Sequence, residues 1–106
     1  MASVRLSPAA VADYDAILDY LERKAGSRTA ERYDRQFEAA FDWIAAHPGI
    51  GAPRHKLGPK MRLVVVFPYS VYYDGVPKGD TALILRVLHG GSRVTGRAIG
   101  RARRPA

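Results

Sequence analysis

The stretch MRLVVVFPYSVYYDGVPKGDTALILRVLHGG, Met61 to Gly91, decides the fold. It contains three apolar runs. MRLVVVFP (61–68) is β-branched, YSVYYD (69–74) is aromatic-rich and TALILRVLH (81–89) is apolar again. Such runs, bounded by turn residues, read as strands. DGVPKGD (74–80) is a Gly/Pro/Asp cluster at hairpin spacing. Pro68 cannot donate to a ladder, so it belongs at an edge, a bulge or a turn. The three runs therefore predict an antiparallel meander.

Upstream the period changes from two to 3.6. Ser7-Pro8 reads as an N-cap followed by proline at the first helical position. Val11, Tyr14, Ile17/Leu18 and Leu21 then recur at helical spacing, and Ala25-Gly26 stops the helix. Ser27 or Thr29 can cap a second helix, with a stripe of Ala30, Tyr33, Phe37, Ala40/Phe41 and Ile44. HPGIGAP (47–53) ends it. The short link predicts an antiparallel helical hairpin. Trp43, beside the stripe, is read as a packing residue. SVRL (3–6) is a candidate first strand.

The predicted class is α+β, in the order β-α-α-β-β-β: a helical hairpin packed on one face of a small antiparallel sheet, the other face at least partly open. Residues 1–92 form the single domain. Residues 93–106 form a basic tail with no acid, in which Arg93, Arg97 and Arg101 are spaced by four. Gly96 and Gly100 each weaken a helix there by roughly 1 kcal/mol relative to alanine, so the tail is expected to be flexible and dispensable for folding.

Length, 106 residues, suits one core. The net charge of +7 is segregated. Residues 1–50 hold six Lys/Arg against eight Asp/Glu, and residues 51–106 hold eleven against only Asp74 and Asp80. Such a half-chain attracts anions: nucleic acid, acidic protein segments or membrane surfaces. There is no cysteine, so no disulfide framework and no thiolate chemistry, which a reducing cytoplasm accommodates. No apolar run reaches the ~20 residues of a membrane span, and the first residues lack the apolar core of a secretion signal.

Strand alternation selects the candidate site residues. Leu83, Leu85 and Val87 make a packing face, which turns Ile84, Arg86 and Leu88 to the open side. Leu63, Val65 and Phe67 make the better packing face of the earlier strand, which turns Arg62 the same way. Two arginines then converge on one sheet surface, provided no bulge intervenes. His89 lies at the strand end before Gly90-Gly91, able to bind phosphate or move a proton near neutral pH. Each has a plainer reading: Arg86 paired with a helix carboxylate, His89 a strand-end hydrogen-bonding residue, Arg62 a solvated edge. His47, His55 and His89 lack metal-ligand spacing. No phosphate loop and no Ser–His–acid set is present, and no cofactor is implied. Tyr69, Tyr72 and Tyr73 can stack bases or pack across strands.

VRLSPAAVADYDAILDYL, HPGIG, MRLVVVFPYSVYY and LILRVLHGGSR together resemble the ParE/RelE superfamily of toxins from bacterial type II toxin–antitoxin modules, over roughly residues 3–93. An arginine opening a strand, a PY.V.Y segment and then I.RVLHG carry the likeness. RVLHG is closer to the ParE branch.

The resemblance implies a cytoplasmic toxin that inhibits DNA gyrase, serves plasmid stabilisation and has no independent catalytic activity. It implies a cognate antitoxin, usually of ribbon-helix-helix type, whose acidic flexible C-terminal segment wraps the toxin. The alternatives are a RelE-like mRNA endonuclease acting in the ribosome, with Arg62, Arg86 and His89 as the catalytic set, and a non-toxic antitoxin-binding protein. The last tyrosine is Tyr73, so the C-terminal aromatic common in the nuclease branch is missing. For partner binding the candidates are Arg62, Arg86, His89, Arg93, Arg97 and Arg101.

Overall fold

The computed structural model describes residues 3–76 and 78–103. Among these residues five strands form one mixed sheet in the order β1-β5-β4-β3-β2. They are β1 (Ser3–Leu6), β2 (Ala52–Pro53), β3 (Met61–Val66), β4 (Tyr69–Asp74) and β5 (Thr81–His89). The meander β3-β4-β5 is antiparallel as the sequence predicts. The sheet as a whole is not, because β1 runs parallel to β5, with Ser3 opposite Thr81 and Leu6 opposite Ile84. The two helices between β1 and the meander supply the long crossover that parallel pairing requires.

Helices α1 (Pro8–Ala25) and α2 (Ser27–Ala46) form the hairpin. Ser7 caps α1 by accepting a hydrogen bond from the Ala10 amide (3.0 Å). Gly26, at φ 90°, separates the helices. That left-handed conformation favours glycine. The α2 stripe packs as its spacing predicts: Ala30, Phe37, Ala40, Phe41 and Ile44 are buried against Val66, Val71, Tyr73, Ile84 and Val87. Tyr14 crosses from α1 to meet Phe37 and Phe41 edge-on. Phe37 and Ile44 are fully buried, each worth about 1.5–3 kcal/mol of transfer.

Two face assignments differ from the alternation expected of the strands. In β5 the register slips: Tyr72 faces Arg86, but Tyr73 faces Ile84. Leu85 is therefore the extra residue of a bulge, and the faces exchange there. Ala82, Ile84 and Val87 join the hairpin core, whereas Leu83 and Leu85 join a second cluster on the opposite face. In β3, Val64 and Val66 face the hairpin, while Val65, and Phe67 just after the strand, are 61% and 71% exposed. A run of three valines carries no alternation, so both parities satisfied it.

The second cluster is closed by a third helix, α3 (Gly96–Arg103), where the sequence predicts a flexible segment. Ile99 and Ala102 are buried against Met61 and Leu85. Thr95 caps α3, its hydroxyl accepting from the Ala98 amide at 3.1 Å. Arg103 forks onto the Asp74 carboxylate. Burial of Ile99 and this ion pair offset the two glycines. Arg104 and the last two residues lie outside the described residues.

Candidate functional site

β1 ends at Leu6, so beyond Ile84 the β5 edge has no strand beside it. The start of α1 takes over that role. The Ser7 amide donates to the Ile84 carbonyl (2.9 Å) and its hydroxyl to the Leu85 carbonyl (2.8 Å). Asp13, in the second turn of α1, accepts from the Val87 amide (3.0 Å). The same carboxylate accepts from Arg86 Nε (2.7 Å) and Nη2 (2.9 Å). Arg86 thus meets a helix carboxylate, the plainer of its two sequence readings. The Asp13 hydrogen bond holds the guanidinium above its ordinary pKa, against the opposing effect of burial.

Arg62 does not join Arg86. Arg62 lies opposite Tyr73 and Arg86 opposite Tyr72. Neighbouring residues of β4 point to opposite faces, so the arginines do too. Arg62 donates to the Gly51 carbonyl (2.6 Å). Beside it the fully buried Tyr73 hydroxyl donates to the Pro48 carbonyl (2.7 Å) and accepts from the Gly51 amide (2.9 Å). Burial raises the Tyr73 pKa, while the Gly51 hydrogen bond and Arg62 lower it. Arg62 and Tyr73 together pin the HPGIG turn.

His89 lies opposite Tyr69, on the face of Arg62 but at the other end of β4. Four residues along β4 separate their register positions, roughly 13 Å at strand rise. Its Nδ1 accepts from the Gly91 amide (3.2 Å), and its ring meets Tyr69 edge-on at 5.8 Å. The three candidate catalytic residues therefore have separate environments. Arg93, Arg97 and Arg101 are all exposed, the last two on α3.

Two surface features escaped the sequence reading. Trp43, 55% exposed, lines a groove of about 440 Å³ with Val65 and Phe67. It is a surface aromatic in neither packed cluster, not the packing residue that its place beside the stripe predicts. A cleft beside the β4–β5 turn gathers Lys60, Lys78 and Arg5. Only the PKG turn hinted at that one. Among the described residues no group of His, Asp or Glu is placed to hold a metal, and no helix is long and apolar enough to cross a membrane.

Residues 4–94 match the family described as the ParE toxin of the type II toxin-antitoxin system, parDE. The chain belongs to the ParE toxin family. The match spans the hairpin and all five strands and stops before α3. Among ParE relatives, Toxin ParE1 of Caulobacter vibrioides is 37% identical over 89 residues, covering 84% of this chain and 90% of that one. Toxin ParE1 of Mycobacterium tuberculosis is 34% identical over 84 residues, covering 79% and 85%. A solved structure described as the chromosomal ParDE TA system from P. aeruginosa superposes with a TM-score of 0.68 at 25% identity. It covers 84% of this chain and 96% of that one. ParE membership agrees with the branch that RVLHG indicates.

Proposed function

We propose that this ParE-family chain is a cytoplasmic toxin that stops DNA replication by binding DNA gyrase, and that a cognate antitoxin neutralises it. The observation that carries this reading is the separation of Arg62, Arg86 and His89. A nuclease must bring cations and a proton carrier to one phosphate. Here Arg86 is held by Asp13 and its register faces away from Arg62. His89 shares the Arg62 face but sits at the far end of β4. Inhibition by binding needs no such convergence.

The antitoxin is proposed to be of ribbon-helix-helix type, with an acidic segment that orders on binding. Arg93, Arg97 and Arg101 are exposed and suit that segment by charge. His89, also exposed, borders a shallow apolar pocket with Ile17, Tyr20 and Tyr69 that can seat an apolar anchor. Arg62 and Arg86, already hydrogen-bonded within the chain, contribute by fixing backbone rather than by reaching out.

Induction in a bacterial host lacking the antitoxin, with thymidine and methionine incorporation followed together, tests this. DNA synthesis is expected to fail first, with filamentous cells. Earlier failure of protein synthesis would transfer the case to the ribosome, and harmless accumulation would mark a non-toxic binding protein.

A further inference from the structure

We propose that the cleft beside the β4–β5 turn binds the phosphodiester backbone of a single-stranded nucleic acid. Two cavities, of about 440 and 350 Å³, share a wall of Lys78, Thr81 and Leu83. The first extends to Lys60 and the second to Arg5. The cations come from β1, from the turn before β3 and from the turn before β5, so folding alone assembles them. All three are exposed, and among the described residues none has a carboxylate partner.

Asp74 is the acid of the cleft, and it is already neutralised. Arg103, from α3, bonds both of its carboxylate oxygens. The lining therefore retains about three uncompensated positive charges. Like charges gathered on one cleft repel, and an anion relieves that repulsion. They are spread over two adjoining cavities: Lys60 lines one, Arg5 the other, and Lys78 the wall they share. That matches a chain of repeated negative charges better than one compact anion.

The rest of the lining selects the class of polyanion. Among the described residues apolar contact is limited to Leu83 and Val76, too little for the buried anchors that hold a peptide. Interfaces with nucleic acid are more polar and more positive than those between proteins. Among the described residues no aromatic side chain lines either cavity, so there is no platform for stacking bases, and the backbone is what the cleft contacts. A flexible single strand can bend its backbone into such a cleft, which a stiff duplex resists. Both cavities fall within the range of ligand-binding pockets, about 300–1,000 Å³.

The inference is independent of the gyrase reading, and its assay contains neither gyrase nor antitoxin. Full-length protein is titrated with a fluorescent mixed-sequence single strand of about 12 nucleotides, at salt from about 0.05 to 0.2 M. Affinity is expected to fall with salt and to change little with base sequence. In Lys60→Ala/Lys78→Ala the slope of log K against log salt is expected to drop by about 1.4, at ~0.7 per phosphate contact. Carried from 1 M to 0.1 M salt, that is a loss of roughly 25-fold. Lys24→Ala/Arg28→Ala removes the same charge from the helical hairpin and is expected to leave the slope near wild type. Absence of binding at the lowest salt overturns the proposal. So does an equal loss in both double variants, which would reduce the effect to net charge. Stronger competition by a polyglutamate peptide than by unlabelled strand would assign the cleft to an acidic protein segment instead.

Discussion

Replacing Asp13 by alanine tests the tie between α1 and the uncovered part of β5. Asp13 accepts three hydrogen bonds, two from Arg86 and one from the Val87 amide. No strand can take over the Val87 amide, because β1 has ended at Leu6. An unsatisfied donor costs about 1–3 kcal/mol. The Arg86 side chain is 25% exposed and recovers some water, so losing the fork adds about 1 kcal/mol rather than the full cost of breaking a buried pair. The total is about 3 kcal/mol. Unfolding entropy near 2.1 cal/mol/K per residue gives about 0.22 kcal/mol/K for a chain this long, so Tm falls by roughly 13 °C. Arg86→Ala spares the Val87 bond and is expected to cost about half as much. The double variant should fall short of the sum by about 1 kcal/mol, because the two residues share one interaction. Urea denaturation of the four proteins at neutral pH measures this. Asp13→Ala within about 0.5 kcal/mol of wild type, or full additivity, would refute the reasoning.

Other consequences follow from the second cluster and the buried hydroxyls. Ile99→Ala removes the main buried contact of α3 and is expected to cost about 2–3 kcal/mol in denaturant melts; no loss would mean α3 contributes nothing to the fold. Tyr73→Phe deletes the bonds to Pro48 and Gly51 and is expected to cost about 2 kcal/mol, with faster amide exchange at Gly51 as the local readout. Burial raises the pKa values of Tyr14, Tyr69 and Tyr73, with Asp34 adding to the first. Below the ordinary tyrosine value of 10.0 all three are neutral in both states. Above it the unfolded chain releases protons that the folded chain retains, so stability falls as pH rises past 10. Tyr14→Phe is expected to flatten that alkaline decline, and an unchanged pH profile would contradict the assignment.

Much of this fold is legible in the sequence because burial on one side leaves a period. The α2 stripe from Ala30 to Ile44, the Ser7-Pro8 start of α1 and the Gly26 stop all stand where spacing and capping chemistry put them. What failed did so where no period exists. Val64-Val65-Val66 offers the same residue to both faces, so its parity was open. The Leu85 bulge exchanges faces within an apolar run, and nothing in LIL marks it. α3 carries only Ile99 and Ala102 as its apolar pair, and its two glycines outweighed them in a local reading. The site was legible by type more than by place. Arg86 meets a carboxylate, as one of its readings held, and keeps the expected face, but Arg62 does not join it, because β3 takes the other parity and turns Arg62 with Val64 and Val66 to the hairpin face. The cleft of Arg5, Lys60 and Lys78 joins residues distant in sequence, and only the closed sheet shows them together.

Purified protein added to DNA gyrase, with ATP-dependent supercoiling and cleaved DNA scored in one reaction, shows whether this toxin acts on gyrase. Supercoiling is expected to fall and cleaved DNA to accumulate, the antitoxin to restore both, and folded Arg86→Ala still to inhibit. Supercoiling and cleavage that stay unchanged at micromolar excess of folded protein would contradict the gyrase reading.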